Sequence, residues 1–179
     1  MNQDIARILI TEEELQNRIA ELAKTVSADY EGTVPVFVGV LKGVVHFFTD
    51  FVTNTPLPCE YDFLAVSSYG RGTVSSGVIN MQKDLSSSIE GRHVVILEDI
   101  LDTGHTLKFV KEHLLSKKPA SLKICTLLDK PERRQADITA DYVGFTIPNE
   151  FVVGYGLDYR EIYRNLPYIG ILKPEVYQK

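Results

Sequence analysis

The sequence predicts an α/β fold: a parallel, doubly wound sheet flanked by helices, with a small β-rich hood or flap. Three observations predict it. Apolar runs, the signature of strands buried on both faces, occupy residues 34–41 and 94–97, and residues 121–128 read as another buried strand. Segments with apolar residues at helical spacing stand before and between them, so strands and helices alternate through the first two-thirds of the chain. The final third breaks that alternation, with short apolar runs and little helical periodicity. A length of 179 residues suits one domain, residues 1–179, with the hood formed by the termini and mainly by the C-terminal third.

The first helix is announced by Thr11-Glu12-Glu13-Glu14, a capping-box pattern, and Leu15, Ile19, Leu22 and Val26 continue it on one apolar face. The run at 34–41 is a buried strand ended by Lys42-Gly43. Val44, Phe47, Phe48, Phe51 and Val52 then mark the next helix. Pro56 and Pro58 break the chain before a strand at 60–67. Residues 68–77 hold Gly70, Gly72 and Gly77 among small polar side chains, which suits a hairpin connection or a lid equally. A short returning strand follows at 77–82. The strand at 92–97 leads to a helix with Leu107, Val110 and Leu114 on its apolar face. The strand at 121–128 ends at Asp129-Lys130-Pro131. Residues 131–140 are polar and read as a surface loop. Short strands are expected at 142–147, 151–154 and 168–172, around a short helical or irregular piece at 156–164.

Composition narrows the functional classes. Apolar residues make up 44% and charged residues 24%, ordinary for a globular protein. The net charge of −5, without a long basic run, argues against nucleic acid as the main partner. A local loop or a bound metal can still hold a small anion. The first ten residues lack the layout of a secretory signal and no run approaches a membrane span, so no membrane partner is expected. Cys59 and Cys125 lack metal-ligand spacing and read as reduced, mostly buried thiols, which points to a cytoplasmic setting. The Walker loop, the dinucleotide fingerprint and the serine elbow of hydrolases are absent. His46, His93, His105 and His113 form no zincin-type pair.

One stretch carries chemistry. Val94-Val95-Ile96-Leu97 is followed by Glu98 and Asp99, then by Asp102-Thr103-Gly104-His105-Thr106 and a helix. In an open α/β sheet, ligands sit outside the carboxyl ends of strands, and a helix N-terminus there offers N–H groups to an anion. Gly104 permits close backbone approach, and the threonine hydroxyls add donors. Phosphate would repel Glu98 and Asp99, so they must face sugar hydroxyls, a cation or developing positive charge. A ribose 5-phosphate meets both demands. On these residues alone, a strand-end turn with solvated or capping acids accounts for the stretch equally well.

Residues 94–107 also match the signature of the type I phosphoribosyltransferases, and the chain resembles that family over nearly its whole length. Within it, the chain is similar to the compact bacterial, hypoxanthine-guanine branch. Leu41-Lys42-Gly43 resembles the family's pyrophosphate loop, Ser68-Tyr69 its lid and Lys130 its purine-recognising lysine. Phe151-Val152-Val153-Gly154-Tyr155-Gly156-Leu157-Asp158-Tyr159 resembles its base-binding segment, with Arg164 at the expected distance. The resemblance implies purine salvage. A 5-phosphoribosyl group passes from 5-phosphoribosyl-1-pyrophosphate to hypoxanthine or guanine, with Mg2+ as cofactor, giving IMP or GMP and pyrophosphate.

It also implies a role for each matched residue. Asp102 exchanges a proton at N7 of the base. Thr103, Gly104, His105 and Thr106 hold the 5-phosphate, without a catalytic part for the His105 side chain. Glu98 and Asp99 hold the ribose hydroxyls or the metal, Asp158 is a further metal ligand, and Lys42, Gly43 and Arg164 take the pyrophosphate. Lys130, Phe151, Val152 and Asp158 form the base site, with Lys130 donating to O6, Phe151 stacking and Val152 offering its main-chain carbonyl. A cis peptide between Leu41 and Lys42 and a homodimeric or homotetrameric assembly are implied as well. The apolar second helix is a candidate interface or part of the chain's own core.

The alternatives are a xanthine- or guanine-preferring enzyme, an RNA-binding, nucleotide-sensing regulator of the same fold, and an inactive binding module. The regulator predicts a basic face, against the charge of −5. The inactive module predicts loss of an acid, but Glu98, Asp99 and Asp102 are all present.

Overall fold

The computed structural model describes residues 1–68 and 79–178. Their elements run β1 (Ile5–Ile10), α1 (Glu12–Ala28), β2 (Val36–Leu41), α2 (Val45–Thr53), β3 (Glu60–Ser68), β4 (Ile79–Lys83) and β5 (His93–Leu101). Then follow α3 (His105–Ser116), β6 (Ser121–Asp129), β7 (Tyr142–Thr146), β8 (Val152–Val153), β9 (Ile169–Leu172) and α4 (Pro174–Tyr177). Six strands form the main sheet in the order β4-β3-β2-β5-β6-β7. Three form the hood sheet, β1-β9-β8.

Side-chain alternation along the central strands decides where the helices go. Phe37, Val95, Leu97 and Cys125 point to one face and meet Leu15 and Ile19 of α1 and Phe47 and Phe51 of α2. Val36, Val38, Val94, Ile96 and Ile124 point to the other and meet Leu107, Val110 and Leu114 of α3. Both faces are therefore covered, as expected for a doubly wound sheet. Full burial of each such side chain contributes about 1.5–3 kcal/mol. The capping box of α1 forms as read, with Glu14 N–H donating to the Thr11 hydroxyl and Thr11 N–H donating to the Glu14 carboxylate. Such a cap stabilises a helix by about 1 kcal/mol. The phenylalanine face of α2 belongs to the chain's own core: Phe47, Phe48 and Phe51 are buried, and Phe51 meets Phe37 edge-on.

Two expectations need correction, one strand was not anticipated, and the sheet edge adds a detail to the predicted fold. Residues 5–10 form a strand, β1, which pairs antiparallel with β9. Its middle is exposed and its register irregular, so no clean alternation marked it. Residues 142–146 join the main sheet beside β6 as a parallel strand, β7, and not the hood. The segment at 131–140 is only partly a surface loop, because Ala136 and Ile138 are buried on the α3 side. The main sheet is parallel except at its edge, where β4 runs antiparallel to β3.

The strand order reverses between β2 and β5. From β2 the chain moves through α2 to β3 on one side, and from β5 through α3 to β6 on the other. Ligands bind in the crevice outside the carboxyl ends of strands at such a switch point. Here β2 ends at Leu41, whose peptide to Lys42 is cis, and β5 runs on through the acids to Leu101. The hood shares the α1/α2-side core through Val152, Ile169 and Ile171, which places it over one end of the crevice.

Candidate active site

A cavity of about 530 Å³ opens at the switch point. Its lining gathers residues from across the sequence: Lys42 and Gly43 after β2, Glu98 and Asp99 on β5, Asp102 and Thr106 around the loop before α3, and Lys130 after β6. Phe151, Val152, Asp158 and Arg164 complete it from the hood side. Thr103, Gly104 and His105 do not line it. Ser68 is described as the end of β3, opposite Ile79, and Tyr69 lies outside the described residues, so the lid expectation stands beyond the structure.

The paired acids are held inside a strand. Glu98 is only 8% exposed, and its Oε2 meets no hydrogen-bond donor among the described residues. Burial, reinforced by the neighbouring Asp99 charge, pushes the Glu98 carboxyl well above the usual range. Burial raises Asp99 as well, against the Ile100 N–H that donates to its Oδ1 at 2.8 Å. Gly43 lets the β2 loop approach this pair, since a Cβ there would stand 1.7 Å from Asp99 Oδ2. No group of three or more His, Cys, Asp or Glu side chains among the described residues is arranged to hold a metal alone. Two adjacent acids with a donor-free oxygen suit Mg2+, which keeps several waters and uses one or two carboxylates together with substrate phosphates.

The loop before α3 is shaped by Gly104, whose φ of +87° lies in the left-handed region and whose Cβ would meet Ile138 Cγ2 at 2.7 Å. The next residue begins α3. Unlike α1, this helix has no side-chain cap and no acid in its first turn, so no side chain of its own start competes for its first N–H groups. The segment after β6 braces the loop. Gln135 and Ala136 both donate from their main chain to the Thr103 carbonyl at 3.0 Å. Arg134 donates to the carbonyls of Asp102 at 3.0 Å and Ile138 at 2.7 Å and pairs with Asp129. The exposed His105 ring turns to Gln135, at 3.1 Å.

At the other end, Lys130 is 5% exposed and its Nζ donates to the Glu150 carbonyl at 2.9 Å. Burial draws this ammonium below the ordinary lysine range, against the nearby Asp102 charge. Phe151 stacks on Tyr177 of α4 with ring centroids 4.6 Å apart and meets Tyr159 edge-on. Asp158 is engaged on both oxygens, Oδ1 by Arg164 Nη2 at 2.9 Å and Oδ2 by the Glu161 N–H at 2.9 Å. Each oxygen keeps a second lone pair, so the carboxylate could still reach a metal beside these partners. Glu161 Oε2 also bridges Lys42 Nζ at 3.1 Å and Arg164 Nη2 at 3.3 Å. Arg164 Nε is buried with no acceptor among the described residues.

The sequence reading missed Arg133, Arg134, Glu161 and Tyr177. Arg133 Nε donates to Asp102 Oδ1 at 2.9 Å, across 31 positions of sequence. The one available signal was two adjacent arginines in a segment returning toward the sheet.

Paired acids and the start of α3 thus meet at the switch point of a doubly wound sheet, where such folds bind ligands. The family described as phosphoribosyl transferase domain matches residues 10–160, and the chain belongs to that family. More particularly, it is 52% identical over 178 residues to the hypoxanthine-guanine phosphoribosyltransferase of Bacillus subtilis (strain 168), covering 99% of each chain. It is 55% identical over 179 residues to the bifunctional protein TilS/HprT of Listeria monocytogenes serotype 4b (strain F2365). That match covers 100% of this chain and 28% of the length of the relative. A crystal structure of a hypoxanthine phosphoribosyltransferase from Staphylococcus aureus aligns with a TM-score of 0.96 at 55% identity, covering 100% of this chain and 97% of that one.

Proposed function

We propose that the chain is a purine salvage enzyme that transfers 5-phosphoribosyl from 5-phosphoribosyl-1-pyrophosphate to N9 of hypoxanthine or guanine. One observation carries this reading most directly. A single cavity gathers the acid pair Glu98 and Asp99, Thr106 from the first turn of α3 and the buried Lys130, a set whose chemistry suits ribose hydroxyls, a phosphate and a purine O6. The ring carbon becomes oxocarbenium-like as the bond to pyrophosphate breaks, as in glycoside chemistry. Electrons of that bond leave with the pyrophosphate, and N9 supplies the pair for the new bond. The N7 proton then passes to the Asp102 carboxylate. Glu98 and Asp99 orient the ribose hydroxyls and are the residues that would hold Mg2+. Bound Mg2+ supplies charge neutralisation for the departing pyrophosphate.

Lys42, the Gly43 main chain and Arg164 receive the pyrophosphate, and Thr103 to Thr106 hold the 5-phosphate. Lys130 presents a donor to O6, which favours 6-oxopurines over adenine with its amino group. Phe151 offers the ring face left by Tyr177, and Val152 its main chain. Asp158 is proposed as a further metal or base contact, and Ser68 with Tyr69 as the lid. The reading extends to one domain over residues 1–179, acting as a homodimer or homotetramer in the cytoplasm.

The test is incubation with 5-phosphoribosyl-1-pyrophosphate, Mg2+ and, in turn, hypoxanthine, guanine, xanthine, adenine and orotate. IMP and GMP are the expected products. If neither forms, the proposal fails.

A further inference from the structure

We infer that Arg133 is a positioning residue for the proton-transfer group, holding the Asp102 carboxylate so that one oxygen faces the base. This rests on the proposed phosphoribosyl transfer and adds a residue to it. Arg133 ends the short helical turn Pro131–Arg133 that follows Lys130, and its N–H donates to the Lys130 carbonyl at 3.2 Å. The turn therefore fixes Arg133 and Lys130 together, and both line the cavity with Asp102. Arg133 Nε donates to Asp102 Oδ1 at 2.9 Å, while Asp102 Oδ2 makes no hydrogen bond among the described residues. Arg134 takes the Asp102 main-chain carbonyl at 3.0 Å. Two consecutive arginines thus hold one residue at both its side chain and its backbone.

The Arg133–Asp102 pair is 48% and 34% exposed, so water screens it and little folding stability rests on it. Its consequence is geometric. A carboxylate held through one oxygen keeps a fixed plane and presents the other oxygen to a proton in the cavity. Loss of such alignment is costly in rate even when the chemical group remains. A residue acting in this way affects turnover only through Asp102. A residue that touches the pyrophosphate directly would affect substrate binding whatever stands at 102.

A double-mutant cycle with R133Q, D102N and the pair separates the two, read as kcat with hypoxanthine and as KM for both substrates. R133Q should lower kcat roughly five- to tenfold, leaving KM for 5-phosphoribosyl-1-pyrophosphate within about twofold. In the D102N background, the same change should alter kcat by less than about twofold. Equal losses in both backgrounds would overturn the inference, as would a raised KM with unchanged kcat. If R133Q does not fold, R133M, which also lacks the donor, carries the same cycle, with the same outcomes deciding. A wild-type chain that makes no nucleotide removes the reaction and this role with it. An active wild type with equal losses in both backgrounds removes the role alone.

Discussion

Gly43 shows how one missing side chain sets a site. The β2 loop lies so close to the acid pair that a methyl group would stand 1.7 Å from Asp99 Oδ2, so either the loop or the carboxylate must move. Gly43→Ala should lower folding stability by about 1–3 kcal/mol through overpacking. Displacing the acid should also cut turnover at least roughly tenfold. Urea denaturation and initial rates check the two halves, and full activity would show the loop free to retreat. Lys130 tests specificity at the same scale. It is buried and has one carbonyl partner, so it is placed to offer a donor toward the cavity. Lys130→Ala should cut the kcat/KM preference for hypoxanthine over adenine at least about tenfold. An unchanged preference would place O6 recognition elsewhere. The three acids and the two threonines were legible because they cluster within residues 98–106, directly after the apolar run at 94–97. Arg133, Arg134 and Tyr177 were not, because their contacts close loops of tens of residues and no local spacing announces them.

Elements were legible where one physical pattern dominated. The run of β2, the cap of α1 and the apolar face of α3 each gave a signal that tertiary context did not overrule. Strand β1 gave none, because its middle is exposed and its partner lies at the far end of the chain. The segment at 156–164 was read as a short helical or irregular piece, and its geometry explains why it gave no clearer signal. Arg160, Glu161 and Tyr163 take φ values of 52°, 65° and 80°, uncommon for residues with side chains. Such backbone is kept where surrounding structure demands it. Here it sets Glu161 between Lys42 and Arg164, whose hydrogen bonds hold its carboxyl below the usual range. The Glu161 carboxylate thus occupies the cations that the proposed function assigns to pyrophosphate. Glu161→Gln should therefore tighten binding of pyrophosphate with Mg2+. The gain should be only about two- to fivefold, because Lys42 and Glu161 are 70% and 66% exposed. Titration calorimetry on the two proteins decides it. Weaker binding by the variant would mean that Glu161 positions Arg164 instead of competing for it.

At the scale of the whole molecule, the site opposes the fold that carries it. The sheet buries its central strands on both faces, yet β5 ends by placing two carboxylates side by side within that packing. Glu98 Oε2 has no donor among the described residues, and burial with the Asp99 charge raises the Glu98 carboxyl well above its ordinary value. A buried acceptor without a partner costs about 1–3 kcal/mol. Sites of this kind commonly trade stability for function. Glu98→Gln keeps the shape and removes the charge, so it should slow phosphoribosyl transfer while making the ligand-free protein more stable. A gain of about 1 kcal/mol corresponds to a rise of roughly 2–4 °C in Tm for a chain of this size. The pH dependence has a definite sign. With the folded carboxyl raised above its unfolded value, the folded state binds the proton more tightly, so wild-type stability is lost as pH rises through the folded value. The advantage of Glu98→Gln should therefore be widest at pH about 8 and narrow toward pH about 5, nearer the unfolded carboxylate range. Urea denaturation at the two pH values measures it. A variant less stable than the wild type at the higher pH would show that the fold draws stability from the buried charge, and the conflict between site and core would be wrong.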